Sequence, residues 1–314
     1  MRLQIDVADR RPVLGARNAK CAIFPHDPAR DHRFTNHLEE QLMALWQTET
    51  THGIVIARYV NPPMNYMTAE GMHELKALIE AWRAPEVRVV ILTGGLPNRF
   101  ITHYSVEELI ESARNKPLMM NTGRAWLHQH NATLTNLRDL PKPVIAAMSG
   151  STMGGGFETS LSCDIRIAQA GDFRYGLPEV TLGILPGGCG TQRLSRLIGA
   201  GRAIDFILRG RICKPEEALA MGIVHEVAPD ASARALEIAK AMLILSPVAI
   251  AETKRAVYEG SEVHLQAGLE IEGDAFIHTM LTDEAVAIME EYVAQPFEAR
   301  VQWLERNRAL LHPR

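Results

Sequence analysis

The sequence predicts an α/β core followed by an all-helical C-terminal region. Three observations carry this. From Gly53 onward, short apolar runs of buried-strand length alternate with runs of helical period. Glycine turns stand where several of those strands hand over to helices. After Pro229 the strand-like runs stop, and helical spacing dominates to the end of the chain.

Taken in order, residues 1–50 are polar and weakly patterned. Arg10-Arg11-Pro12 and His26-Asp27-Pro28 break the chain, only 36–47 has helical spacing, and the segment reads as an N-terminal extension. The core is expected over 51–229. Gly53–Val60 is a buried strand ended by Asn61-Pro62-Pro63. Thr68 caps a helix that carries Gly71 in its first turn and runs to about Trp82. Val87–Thr93 is a second buried strand, closed by Gly94-Gly95. Residues 122–139 are helical, with Leu127, His130, Leu134 and Leu137 on one stripe. Val144–Met148 is a strand, Asp164–Ala168 an alternating one, and Ile223–Val227 a late one. Helices are expected over 190–199, 202–209 and 215–221. Residues 230–314 form the helical region, opened by Leu236, Ala239 and Leu243.

At 314 residues and 46% hydrophobic, the chain suits one large domain or two. A net charge of −4 gives no electrostatic case for a nucleic-acid partner. Cys21, Cys163, Cys189 and Cys213 are widely spaced, form no CxxC pair and join no histidine at metal-ligand spacing. Reduced, mostly buried thiols, a cytoplasmic setting and no metal are therefore expected. No N-terminal signal and no apolar run near the ~18 residues of a spanning helix is present, so no membrane partner is expected.

The chemistry concentrates at Ser149-Gly-Ser-Thr-Met-Gly-Gly-Gly-Phe-Glu158, between the Val144–Met148 strand and a helix-like run. Three adjacent glycines admit close backbone approach. A helix N-terminus offers unpaired N–H groups that can hold a developing oxyanion. Glu158, expected on the first turn, is a candidate acid or base, or simply a complement to the helix dipole. Glu179, between Pro178 and an apolar run, is expected to be poorly solvated and to hold its proton more tightly; otherwise it pairs with an arginine such as Arg174 or Arg193. Pro186-Gly-Gly-Cys-Gly-Thr191 leads into a helix with Thr191 as its candidate cap, either anion-friendly or a plain tight turn. His103 and Tyr104, beyond a glycine turn, are candidate pocket residues, although a lone loop histidine is more often structural. No phosphate loop, dinucleotide fingerprint or serine-hydrolase order is found.

These landmarks resemble the enoyl-CoA hydratase/isomerase (crotonase) superfamily. They run from Asn61-Pro-Pro-Met-Asn65 and Val89-Val-Ile-Leu-Thr-Gly-Gly95 through Pro141-Lys-Pro-Val-Ile-Ala-Ala147 and Met153-Gly-Gly-Gly-Phe-Glu158. Ser162-Cys-Asp164, Leu177-Pro-Glu179 and Leu185-Pro-Gly-Gly-Cys-Gly-Thr-Gln-Arg193 complete the set. The resemblance implies a crotonase-like spiral of ββα repeats and a helical C-terminal region that builds homotrimers, often paired into hexamers. It implies an acyl-CoA-type substrate and no separate cofactor, coenzyme A arriving as part of the substrate. The backbone N–H groups of Gly155 and Tyr104 would form an oxyanion hole, and Glu158 and Glu179 fall where hydratases keep two catalytic glutamates. Tyr66, His103, Gly154, Pro186 and Gly187 would border the substrate.

The departures are specific. Thr102-His103-Tyr104-Ser105 replaces a small Ala-Gly-Ala-Asp run, and Tyr66 replaces a small residue after Asn65. One extra residue separates the two glutamates, and Phe297-Glu-Ala-Arg300 only partly matches a lysine-rich end that contacts coenzyme A. Hydration of an enoyl thioester is the expectation. The alternatives are a hydrolase of the same fold, acting on a thioester or a β-diketone C–C bond, and a dual dehydratase/thioesterase making an unsaturated fatty-acid signal. A non-catalytic assembly role conflicts with retention of both glutamates.

Overall fold

The computed structural model describes residues 44–311. Strands β1 (Trp46–Thr51), β2 (Ile54–Tyr59), β3 (Val89–Gly94), β4 (Val144–Met148), β6 (Ile165–Gln169) and β9 (Glu226–Ala228) form one sheet, in the order β1-β2-β3-β4-β6-β9. The short strands β5 (Thr152–Met153), β7 (Tyr175–Gly176) and β8 (Ile212–Cys213) form a second, in the order β5-β7-β8. Only the β1–β2 pair of the large sheet is antiparallel.

The chain visits the two sheets in turn, and this is the repeat that positions everything else. Strand β4 lies in the large sheet, β5 in the small one, and helix α5 (Gly154–Leu161) follows. Strands β6 and β7 repeat the move, ending in a 3-10 turn at Glu179–Leu182. Two earlier passes do the same with single bridges in place of short strands. Met67 bridges Tyr104 in parallel, before helix α1 (Ala69–Ala81). Arg99 bridges Ser151, before helix α2 (Val106–Arg114). Main-chain bonds continue the ladder, from Met67 N–H to the His103 carbonyl (2.8 Å) and from Met153 N–H to the Thr102 carbonyl (2.7 Å). Together these turns form the crotonase-type ββα spiral.

Burial on both faces explains the apolar strand sequences. Val90, Leu92, Val144, Ala146 and Met148 face one core with Leu75, Leu134, Leu137 and Phe157. Ile54, Val89, Ile91, Ile145, Ala147 and Ile167 face the other, closed by Ala231, Ala235, Ile238 and Ala239 of a helix at Ala231–Met242. The helical region expected from residue 230 thus begins with a helix packed on the core. The helix Pro247–Gly260 is tied to the start of β4. Asp164 Oδ2 accepts from Val144 N–H and Lys254 Nζ, both at 2.7 Å, and Asp164 Oδ1 from the Tyr258 hydroxyl at 2.8 Å.

The predicted elements between Gly53 and Val227 are present, with ends shifted by up to three residues. Thr68 caps α1 by accepting from Gly71 N–H. Three expectations are corrected. The helical reading of 36–47 lies outside the described residues up to 43, and Trp46–Gln47 open strand β1, so the sheet begins inside the supposed extension. The Asp164–Ala168 segment does not alternate, because Arg166 is buried with its guanidinium bonded to the carbonyls of Ile223 and Cys163, each at 2.7 Å. Helix α5 starts at Gly154, so the glycines are its first turn and Glu158 lies beyond that turn. It therefore does not complement the helix dipole there.

Gly156 shows why the first turn is bare. A Cβ there would collide with the Ile101 carbonyl. Gly156→Ala is expected to lower unfolding stability by roughly 1–3 kcal/mol. Gly201→Ala, in the open on the helix Ala200–Leu208, should be neutral or slightly stabilising. Urea unfolding of the two variants side by side checks this, and equal stabilities would remove the packing constraint.

Candidate active site

A cavity of about 1160 Å³ opens at the end of the short-strand ladder. Tyr104, Gly154, Gly155, Glu158, Glu179 and Gly187 line it, with His103 and His130. Its remaining walls include Leu109, Met119, Trp126 and Leu127, a largely apolar surround.

Glu158 projects from α5 and is 3% exposed. Its Oε1 accepts from Gly190 N–H at 2.7 Å, at the start of helix α6 (Gly190–Ile198). A side chain on Gly188 or Gly190 would occupy the space of this carboxylate, so both glycines are required for its seat. Burial raises the Glu158 pKa to about 8. The charge of Glu179 adds to the rise, and the backbone N–H groups of Gly190 and Gly188 and the Arg193 charge oppose it. Thr191, expected as the cap of α6, is already inside it; Cys189, in the left-handed region at φ 78°, precedes the first turn.

Glu179 opens the 3-10 turn after Pro178 and is 9% exposed. Its Oε2 has no hydrogen-bond partner among the described residues. Its Oε1 lies 3.2 Å from where a Cβ on Gly154 would be, so the carboxylate reaches across the start of α5. Burial raises its pKa to about 7. Neither candidate arginine neutralises it, because Arg174 pairs with Asp172 at 2.6 Å and Arg193 reaches the Leu134 carbonyl at 3.3 Å.

The backbone at Tyr104 is held from one side. Met67 N–H donates to the His103 carbonyl and Ser105 N–H to the Met67 carbonyl, both at 2.8 Å. That bridge leaves the Tyr104 N–H on the opposite side of its strand. A Cβ on Gly155 would be 3.4 Å from Tyr104 N and 2.9 Å from Tyr104 Cβ, so the bare helix start allows the two backbones to lie side by side. First-turn N–H groups have no intrahelical partner. Asn65, at φ 60° and fully buried, braces the same loop. It accepts from Asn61 N–H at 2.7 Å, donates to the carbonyls of Tyr59 and Phe100, and its own carbonyl accepts from Thr102 N–H at 3.0 Å.

His103 and Tyr66 stack at 4.1 Å, and His103 Nδ1 donates to the Tyr104 carbonyl at 2.6 Å. Tyr66 is thus behind His103 rather than among the cavity-lining residues, and buried Pro186 packs against the Gly190 position, also outside the lining. The Tyr104 hydroxyl donates to Glu108 Oε2 at 2.7 Å. His130, read from the sequence as part of an apolar stripe on helix α4 (Ala125–Arg138), faces the cavity instead, edge-on to Tyr104 at 5.7 Å. An imidazole in place of a leucine on that stripe was the one local sign of it.

Residues 49–300 match the profile of the enoyl-CoA hydratase/isomerase family. A short-chain-enoyl-CoA hydratase of Clostridium acetobutylicum is 36% identical over 248 residues, covering 77% of this chain and 92% of that one. The human mitochondrial methylglutaconyl-CoA hydratase is 32% identical over 295 residues, covering 90% and 85%. Among solved structures, an enoyl-CoA hydratase from Bacillus anthracis superposes with a TM-score of 0.73 at 31% identity, over 79% of this chain and 96% of that one. With this fold and this coverage, the chain belongs to the enoyl-CoA hydratase/isomerase family.

Proposed function

We propose that the protein adds water reversibly across the 2,3-double bond of an enoyl-CoA thioester, with Glu158 and Glu179 as its acid–base pair. The supporting observation is the convergence of two buried carboxylates, both with raised pKa, on one cavity beside the adjacent backbones of Gly155 and Tyr104. In this reading the thioester carbonyl accepts from the Gly155 and Tyr104 N–H groups. As water attacks the β-carbon, charge builds on that oxygen, and each donor lowers the barrier by roughly 3–4 kcal/mol.

The carboxylates work with one proton between them. The ionised member takes a proton from water as the C–O bond forms, and the protonated member delivers one to the α-carbon. Water therefore enters as hydroxyl on one carbon and hydrogen on the other, and the pair ends with one proton, as it began. Burial keeps one carboxyl protonated near neutral pH, which two solvated glutamates would not achieve.

Assembly into a homotrimer, or a hexamer of two, is part of the same proposal. Leu265, Phe276, Leu281, Phe297 and Val301 put large apolar side chains on the surface of the C-terminal helices, and exposed apolar area of this kind marks association surfaces. Sedimentation at micromolar protein should show a species three or six times the chain mass. A monomer would contradict the assembly.

With crotonyl-CoA, loss of the conjugated thioester absorbance is expected without release of free thiol; thiol release in step with that loss would instead establish thioester hydrolysis. Glu158→Gln and Glu179→Gln should each reduce kcat roughly 10²- to 10⁴-fold while leaving the circular dichroism spectrum unchanged. A near-normal rate in either variant would remove that residue from the mechanism.

The pH profile of kcat/KM follows from the two raised pKa values. Below about 7 both carboxyls carry protons and the base is lost; above about 8 both are ionised and the acid is lost. A bell with its maximum between those values is expected in initial-rate measurements. A rate that keeps climbing from pH 5 to 9 would contradict the shared-proton arrangement.

A further inference from the structure

His130 is the cavity residue that the hydratase reading leaves without a task. Its neighbours on the α4 stripe, Leu134 and Leu137, are fully buried core side chains, whereas the His130 ring looks into the cavity. Neither ring nitrogen has a hydrogen-bond partner among the described residues, and the contact it makes is the edge-on one with Tyr104. The ring is half-buried on the cavity wall and its nitrogens are not sealed from solvent, so they are open to a water in the cavity. Burial also drives its pKa down to about 4, so it is neutral at working pH, with one nitrogen a donor and the other an acceptor.

The position of that imidazole is specific. A Cβ on Gly188 would meet His130 Nε2 at 2.8 Å and would also strike Glu158 Oε2. Both polar atoms therefore pack against Gly188, which makes them neighbours on the wall of the same cavity. They are not hydrogen-bonded to each other. Two polar atoms that share a contact point beyond direct bonding distance are suited to bridging by one water.

We propose that His130 is a third polar ligand of the water that adds to the double bond, holding it between Nε2 and the Glu158 carboxyl group. This rests on the hydratase reading and sharpens it, since His130 then serves the water rather than the thioester. The oxyanion donors and the α-carbon proton transfer do not need it. Removing it should slow water addition while sparing proton exchange at the α-carbon.

The test compares wild type, His130→Phe and His130→Gln in two assays. One is hydration of crotonyl-CoA. The other is exchange of the α-protons of butyryl-CoA with D2O, followed by NMR, a reaction that uses the carboxylates and the backbone donors without adding water to carbon. His130→Phe should lose roughly tenfold in hydration kcat, the equivalent of one hydrogen bond. Its KM should stay within about twofold and its α-exchange near the wild-type rate, and His130→Gln should recover part of the hydration loss. Wild-type hydration kcat in His130→Phe, or equal losses in both assays, would overturn the assignment. Failure of the wild type to hydrate any enoyl thioester would overturn the hydratase reading itself, a result distinct from an indifferent His130→Phe.

Discussion

The arrangement depends on one steric constraint, the contact between the bare first turn of α5 and the extended segment 101–104. Gly156 lies against the Ile101 carbonyl and Gly155 against Tyr104, with no room for a methyl group at either. If that contact loosened, the two backbones would separate, and Glu179, which reaches across Gly154, would lose its place over the helix start. The glycines are required here for close approach, and their cost in backbone entropy is offset by the rigidity of what lies on each side. Asn65 supplies much of that rigidity by fastening the loop before α1 to the end of β2 and to the 100–102 segment.

The spiral then does by repetition what a single loop could not. Tyr104, Gly154–Gly155 and Glu179 each follow a rung of the short ladder, the first after the Arg99–Ser151 bridge, the next after β5 and the last after β7. Residues far apart in sequence thereby reach one cavity at neighbouring heights. The start of α6 closes the site from the far side, where the Gly190 N–H holds the buried Glu158 carboxyl group. Burial and hydrogen bonding act in opposite directions on that group. Burial prevails, leaving a carboxyl that keeps its proton near neutral pH.

What the sequence disclosed follows the same physics. Strands β2, β3 and β4 were legible because burial on both faces leaves continuous apolar runs. Strand β1 was not, because Trp46-Gln-Thr-Glu-Thr-Thr51 is an edge strand with one buried residue. The ladder strands β5, β7 and β8 span two residues each and are too short to show any period. Helices α2 and Lys116–Thr122 bury none of their residues in the core, and the short apolar stripe of α2 (Val106, Leu109, Ala113) lines the cavity instead. Glu158 and Glu179 stood out through their glycine and proline surroundings. The pairing of Gly155 with Tyr104 came only through family resemblance, since a backbone N–H leaves no trace in residue identity. His130 was hidden because a stripe identifies a helix face without saying whether that face ends in core or cavity.

The ladder also has a bearing on how such a protein can diversify. Each rung ends in its own slot, filled independently, and the slots share a scaffold of main-chain bonds rather than of side chains. A replacement at the Glu179 slot would leave the Gly155–Tyr104 backbone contact and the Glu158 seat standing, so one group in the cavity could change while the rest of its lining persisted. The chemistry is modular because the architecture repeats, and inheritance can therefore act on one slot at a time.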